Sequence, residues 1–225
     1  MSVGLRSAEP EIAYFREIER AFVERRGDPL FISNADWVFL AKLLKKGIPQ
    51  RVVLRGMTDA FDAHAHSFAR KQKIRSLKFC EAEITAAVER YKRAFLAEGP
   101  SRRGLGGAIL RLEETLGALK APPAIAPVIA TARHQLLEIA AAADKDKAYE
   151  ADPALSRLED ALVEAASDIL GGDAVADLEK ASRDATEAYK SRMPANVYET
   201  LIGESVRRKI LQRFSLPRLL LAEIE

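Results

Sequence analysis

An all-α fold is predicted for this chain by three features: its apolar periodicity, its helix-ending residues and its alanine content. Apolar residues recur at intervals of three and four along most of the 225 residues, and Gly or Pro interrupts the pattern between segments. Only the stretch 216–221 suggests a strand. The apolar fraction of 48% is sufficient for a buried core. We therefore expect an N-terminal four-helix domain followed by an Ala-rich helical bundle.

The first two helices have recognisable ends. Pro10 suits the first turn of a helix, and the apolar pattern that follows continues to Gly27. Ser33 and Asp36 then form a start similar to a capping box, with Asp in place of the usual Glu. The helix that they open is predicted to end at Gly47.

Two further helices complete this domain, which we assign to residues 1–98. Pro49 is well placed at the start of the third helix, and Ser76 is predicted to cap the fourth. Both helices carry an inward face at helical spacing. On the third helix this face comprises Val52, Val53, Met57, Ala60, Phe61 and His64; on the fourth it comprises Leu77, Cys80, Ile84, Ala87, Val88, Tyr91 and Phe95.

The remainder is predicted to be a second helical domain. A cluster of Gly, Pro and Ser around residue 100 predicts a linker at 99–104. An acidic, Ala-rich domain is expected at 105–214, and an apolar tail at 215–225. The predicted helices of the acidic domain span 105–119, 124–143, 153–170, 173–191 and 195–214.

The nearly neutral total charge of +2 conceals an uneven distribution. Residues 1–103 carry a net charge of +7, residues 104–190 carry −7, and residues 191–225 carry +2. Such asymmetry is typical of a chain with one part that faces a polyanion, or of a chain with two parts that face each other. Both explanations remain open at this point.

A basic segment interleaved with aromatics is the most informative motif. Residues 67–79 contain five positive charges, no negative charge and two Phe residues. Lys and Arg neutralise phosphates, and aromatic faces stack on unpaired bases. The alternative is a solvated loop anchored by its apolar residues. The candidate nucleic-acid-binding residues in this segment are Arg70, Lys71, Lys73, Arg75 and Lys78.

The predicted second and third helices also have the spacing of a helix-turn-helix. In such a motif the N-terminal turns of the second helix enter the major groove, so Arg51 and Arg55 become candidates for DNA contact. Any antiparallel pair of helices uses a similar turn, so the motif is weak.

Part of the sequence resembles a known family. In order along the chain, the residues that carry the resemblance are Phe22, Gly27, Leu30, Ser33, Asp36, Leu40, Leu44, Gly47, Val52, Val53, Ala60, Ser76, Phe79, Cys80 and Ile84. This order is similar to the helical C-terminal domain of DnaD-like primosome and phage replisome-organiser proteins, over about residues 12–97. The resemblance implies an all-helical domain that binds DNA and replication proteins. It also implies that the segment Arg70 to Lys78 is similar to the family's basic DNA-contacting region.

Residues for catalysis or metal binding are sparse. No Gly-rich phosphate loop and no zinc or nucleophile motif is found. The D-x-H-x-H sequence at 62–66 places its two histidines about 200° apart on a helix, which disfavours a shared metal. Cys80 falls on an inward face, and the acidic pair Glu159 and Asp160 is expected on a solvated face. We therefore expect neither an enzyme nor a cofactor.

The C-terminal tail is unusually apolar for a chain end. Four apolar residues stand out as a candidate partner-binding cluster: Phe214, Leu216, Leu219 and Leu220. Two explanations remain: the cluster packs onto the chain's own core, or it docks on a protein partner or a second copy.

The functional hypothesis is a non-enzymatic nucleic-acid-binding accessory protein that acts in DNA replication or on the nucleoid. The alternative is a helical protein–protein interaction scaffold with no nucleic-acid role. No membrane association is expected, because no apolar run is long enough to span a bilayer. A single cysteine and the lack of an apolar leader near the N-terminus favour a cytoplasmic location.

Overall fold

A computed structural model of the chain describes residues 10–27, 32–67, 73–97, 105–142 and 148–219. These residues form nine α-helices and no strand, which confirms the predicted all-α fold. Two 3₁₀ segments, Leu77–Cys80 and Glu187–Arg192, precede α4 and α9 respectively. The helices are α1 Pro10–Arg26, α2 Asn34–Lys45, α3 Gln50–Ala65, α4 Glu81–Ala97, α5 Leu105–Ala118, α6 Ala126–Ala142, α7 Ala148–Leu170, α8 Gly172–Thr186 and α9 Ala195–Arg213.

The helix ends in the first part of the chain follow the sequence signals. Ser33 caps α2 in a complete capping box with Asp36, as predicted. Helix α2 ends before Gly47, whose φ of +62° is a left-handed conformation that glycine adopts without strain. Ser76 accepts a hydrogen bond from the Lys78 amide and so caps the 3₁₀ segment that leads into α4.

Three predictions of secondary structure differ from the structure. The helix predicted at 173–191 ends as α8 at Thr186, and the 3₁₀ segment Glu187–Arg192 follows it. Helix α7 begins at Ala148, five residues before the predicted start, and contains Pro153 in its interior. Proline lacks an N–H, so α7 continues through this position with one hydrogen bond fewer. The sequence suggests a strand at 216–221, but residues 216–219 form neither strand nor helix.

The chain folds into two compact units, each built from two segments. The first unit comprises Met1–Tyr91 and Ala181–Ser205, and the second comprises Lys92–Lys180 and Val206–Glu225. The predicted domains are continuous in sequence, so residues 181–205 belong to a different unit from the one expected. The predicted linker at 99–104 lies outside the described residues.

This division changes the charge balance. The first unit contains 19 Lys and Arg against 16 Asp and Glu, and the second contains 16 against 17. The net charges are therefore +3 and −1, because acidic residues of the 181–205 segment join the first unit and basic residues 92–103 join the second. With net charges this small, we expect only weak electrostatic attraction between the two units. We also expect neither unit as a whole to attract a polyanion strongly.

In the first unit, α3 and α4 run antiparallel in close contact. Arg51 near the start of α3 lies over the ring of Tyr91 in α4, while Gly56 packs against the Ile84 backbone. A Cβ atom at Gly56 would lie 2.4 Å from the Ile84 Cα, so only glycine permits this approach. The core around this pair contains Ile12, Phe15, Ile18, Phe22, Trp37, Leu40, Val53, Met57, Leu77 and Ile84.

The second unit has its own apolar core, built by α5, α6, α7 and the C-terminal part of α9. Phe214, Leu216 and Leu219 belong to this core, together with Leu112, Leu136, Leu155 and Leu162. None of the described helices is both long enough and apolar enough to cross a membrane.

Candidate nucleic-acid interface

The basic segment Lys73–Phe79 lies against the ends of three helices of the first unit. Arg26 at the end of α1 donates a hydrogen bond from Nη1 to the Arg75 carbonyl oxygen over 3.4 Å. Asp36 in the first turn of α2 accepts from Ser76, and His64 near the end of α3 contacts Phe79. The segment is therefore held at one end of the unit by contacts distant in sequence.

Asp36 fixes the backbone of this segment. Its carboxylate is fully buried and accepts hydrogen bonds from the Ser33 amide (3.0 Å) and the Ser33 hydroxyl (2.9 Å) through Oδ2. Through Oδ1 it accepts from the Ser76 hydroxyl (2.6 Å) and the Lys78 amide (3.2 Å). One carboxylate thus joins the start of α2 to the turn that precedes α4, and the burial of its charge is compensated by four donors.

The alternation of buried and exposed residues determines which side chains the segment presents. Ile74, Leu77 and Cys80 are buried, whereas Lys73, Arg75, Lys78 and Phe79 are exposed. Burial raises the pKa of the Cys80 thiol to about 12, and the nearby Asp36 charge acts in the same direction. Cys80 is therefore a neutral packing residue at neutral pH, in agreement with its predicted role.

Three cations of this segment are available for an external partner. The side chains of Lys73, Arg75 and Lys78 are exposed, and none forms an ion pair with another described residue. Arg70 and Lys71, the other predicted contacts here, lie outside the described residues. We define the basic end as the surface formed by Lys73, Arg75, Lys78 and Phe79.

The structure does not bring Arg51 and Arg55 into the basic end. Both lie in the first two turns of α3, whereas the basic end contacts His64, which is thirteen residues beyond Arg51 and nine beyond Arg55, or about 20 Å and about 14 Å along the helix. Arg51 lies over the Tyr91 ring, with Cζ 5.6 Å from its centroid. Arg55 forms an ion pair with Asp59 at 3.0 Å, and Asp59 also binds Arg90. The charge of Arg55 is therefore partly compensated.

The histidines of the D-x-H-x-H sequence serve other contacts. The His64 ring meets Phe79 nearly at a right angle, with centroids 5.2 Å apart. The Nδ1 of His66 lies 2.7 Å from the Asp62 carbonyl oxygen of the same helix. Among the described residues, no group of three potential metal ligands converges.

Sequence reasoning missed Arg26 and His64 as neighbours of the basic end. Arg26 contributes a guanidinium that contacts the Arg75 backbone, and His64 orients the exposed Phe79 ring. Both contacts join residues more than ten positions apart. The sequence signal for them was only indirect: His64 falls on the predicted inward face of its helix.

The first unit has a second charged surface, which follows α1. An open groove of about 570 Å³ follows α1 and is lined by Arg16, Glu17, Glu19, Arg20 and Arg192, together with Ala13 and Val23. Its charges largely compensate one another, because Arg192 pairs with Glu19 and Arg20 pairs with Glu17. Burial raises the pKa of Glu19, and the Arg192 charge opposes that effect. Among its lining cations only Arg16 has no ion pair with a described residue, so this groove carries less uncompensated positive charge than the basic end.

The predicted partner-binding cluster is packed inside the second unit. Phe214, Leu216 and Leu219 are buried, with 9%, 6% and 0% of their surface exposed, and Leu220 lies outside the described residues. The structure thus agrees with the first explanation for the tail, in which it packs onto the chain's own core. In this arrangement the three described side chains are not available to a partner.

Glu159 anchors the tail, and its predicted position on a solvated face is wrong. The carboxylate is 1% exposed, and its Oε1 accepts from Arg207 Nε (2.7 Å) and Arg218 Nε (3.0 Å). Its Oε2 accepts from the Leu219 amide over 2.6 Å. Asp160 is exposed as expected, and it pairs with Arg207. Arg207 in α9 and residues 218–219 after this helix create the buried environment of Glu159, which local periodicity does not reveal.

Comparison with known proteins supplies one match. A family model described as "Uncharacterised protein" matches residues 7–99, which is less than half of the chain. No curated protein and no solved structure shows significant similarity. The matched range contains α1 to α4 and the whole basic end. A sequence similar to this part of the chain therefore defines a protein family model.

Proposed function

We propose that this chain is a nucleic-acid-binding accessory protein that contacts phosphates through the basic end. The observation that carries the proposal is the set of three exposed cations, Lys73, Arg75 and Lys78, without ion-pair partners among the described residues. Positive side chains in this state attract phosphates and release the counterions condensed on a nucleic acid.

The fixed backbone of the segment supports this proposal. Asp36 holds the Ser76 hydroxyl and the Lys78 amide, and Arg26 contacts the Arg75 carbonyl oxygen. A surface whose backbone is already ordered loses less conformational entropy when it binds than a free loop would. The ordered backbone therefore supports the basic end as a binding surface, although the buried Ile74 would also anchor a solvated loop.

In this proposal the protein binds nucleic acid and catalyses no reaction. The order of residues that resembles DnaD-like proteins supports a role with DNA, in replication or on the nucleoid. The proposal also keeps the cytoplasmic location and the lack of a cofactor that the single cysteine and the sparse catalytic motifs predict. Arg51 and Arg55 are secondary contacts in this proposal, because Tyr91 and Asp59 already engage them. The net charges of the two units favour neither the scaffold alternative nor polyanion binding by a whole unit, so the proposal rests on the local surface of the basic end.

Salt-dependent binding tests the proposal. We would measure the anisotropy of a fluorescein-labelled 20-nucleotide DNA, single-stranded and duplex, with the full-length protein between 25 and 200 mM salt. The variant Lys73→Gln/Arg75→Gln/Lys78→Gln should weaken binding and reduce the slope of log K against log salt by about 2 to 3 units, since each phosphate contact contributes about 0.7 to 0.9.

A charge-matched control separates a local effect from a change in net charge. The C-terminal end of α2 carries three exposed cations, Lys42, Lys45 and Lys46. Asp36 lies in the first turn, at the other end of this helix. Their replacement by Gln removes the same charge and should leave most of the affinity. Equal losses in both variants, or no binding of the wild type at 25 mM salt, would reject the basic end as a nucleic-acid site.

A further inference from the structure

We infer that the ligand of the basic end is a single-stranded nucleic acid and that Phe79 stacks on one of its unpaired bases. This inference rests on the proposed function and adds the strand type and a residue that selects it. Phe79 is 53% exposed, the highest value among the described large apolar residues. Exposure of an aromatic ring next to the cation Lys78 has no benefit for folding and suits a ligand that carries both phosphates and flat apolar faces.

The local fold forces Phe79 outward. Leu77 and Cys80 are fully buried in the short 3₁₀ segment, so the two residues between them, Lys78 and Phe79, face solvent. The Lys78 amide is bound to Asp36, which fixes this turn one residue before Phe79. A cation and an aromatic ring are thus presented side by side on an ordered backbone.

His64 orients the exposed ring. The two ring planes are 83° apart and their centroids are separated by 5.2 Å, which is the edge-to-face geometry that aromatic pairs prefer. This contact limits rotation of Phe79 without burying it. A pre-oriented ring loses little freedom when a base stacks on it.

Stacking of this kind discriminates against a duplex. Bases inside a double helix already stack on their neighbours, and exposing one face costs a few kcal/mol of unstacking. In a single strand the base faces are accessible, and stacking on an aromatic side chain contributes about 1–3 kcal/mol per base. Phosphate contacts alone would not produce such a preference.

An abasic strand isolates the stacking contribution. We would compare a labelled 20-nucleotide oligothymidylate, an abasic strand with the same number of phosphates, and a 20-base-pair duplex, at one salt concentration and with the full-length protein. The wild type should bind the oligothymidylate at least about tenfold more tightly than the abasic strand, which corresponds to about 1.4 kcal/mol.

Two variants of Phe79 assign the effect to this residue. Phe79→Leu should lose about tenfold in affinity for the oligothymidylate while its affinity for the abasic strand remains unchanged. Phe79→Trp should keep the preference, and the fluorescence of the introduced Trp should be quenched when the oligothymidylate binds. That quenching is a direct readout, because Trp37 is buried in the core.

The outcomes separate this inference from the proposed function. Absence of wild-type binding to all three probes would reject both. If the wild type binds all three probes with similar affinity and Phe79→Leu has no effect, the stacking role is overturned. The basic end then remains a phosphate-binding surface only. Tighter binding of the duplex than of the oligothymidylate would also contradict it.

Discussion

The Ser76 hydroxyl donates a 2.6 Å hydrogen bond to the carboxylate of Asp36, a residue 40 positions earlier in the chain. Each of the two residues also caps a local structure, since Asp36 completes the capping box of α2 and Ser76 caps the turn before α4. Their contact therefore joins two helix starts through one buried charge. It also holds the basic end in place, because Lys78 and Phe79 follow directly.

Removal of the Asp36 carboxylate should destabilise the first unit. In Asp36→Ala the Ser76 hydroxyl and the Ser33 and Lys78 amides lose a charged acceptor, and we expect a loss of about 3 kcal/mol in the free energy of unfolding. Urea denaturation followed by Trp37 fluorescence measures this locally, because Trp37 is the single Trp and adjoins Asp36. Glu24→Ala is a suitable control, since the Glu24 side chain is 75% exposed. A loss below 1 kcal/mol would show that Asp36 does not anchor this turn.

Gly56 should not tolerate a methyl group. In Gly56→Ala the new Cβ would lie 2.4 Å from the Ile84 Cα and 2.8 Å from the Glu83 carbonyl oxygen, both backbone atoms that cannot rotate away. We expect a loss of at least about 2 kcal/mol from forced separation of α3 and α4. Gly203→Ala in α9 is the matched control: nothing lies within 4 Å of its Cβ position, and it should gain up to about 1 kcal/mol from helix propensity. Thermal unfolding would compare them, and equal melting temperatures would refute the close packing.

Loss of Glu159 should release the tail. In Glu159→Ala the Arg207 and Arg218 guanidinium groups and the Leu219 amide lose their shared buried acceptor, so we expect a destabilisation of about 3–5 kcal/mol. Hydrogen–deuterium exchange should accelerate in the peptide that covers residues 214–219. Asp160→Ala tests the neighbouring carboxylate, which is 61% exposed, and should change the stability by less than about 1 kcal/mol. Unchanged exchange in Glu159→Ala would contradict the anchoring role.

Local signals were sufficient for much of the first unit. The capping box at Ser33 and the cap at Ser76 were predicted from residue type and spacing and are confirmed by their hydrogen bonds. The inward positions Leu77, Cys80 and Ile84 are buried as their periodicity predicted. These features depend on residues within one or two helical turns, so a single sequence contains the information that they require.

Long-range contacts account for what the sequence did not reveal. Arg51 and Arg55 carry the same charge as the candidates of the basic end, yet they lie about 20 Å and about 14 Å along α3 from His64, which the basic end contacts. Glu159 stands next to another acidic residue, and this pattern predicts a solvated helix face. In the structure, however, the tail covers Glu159. In both cases, the environment of a side chain depends on segments that are distant in sequence.

The sequence by itself determined that this chain is all-α, where its first helices begin and end, and that a run of cations flanked by two Phe residues precedes α4. Only the tertiary structure decided which of the described cations are exposed without an ion pair to another described residue, that residues 181–205 join the first unit, and that Phe214, Leu216 and Leu219 belong to the core. The physical reason is that helix formation depends on interactions between near neighbours, whereas burial and ion pairing depend on which distant surfaces meet.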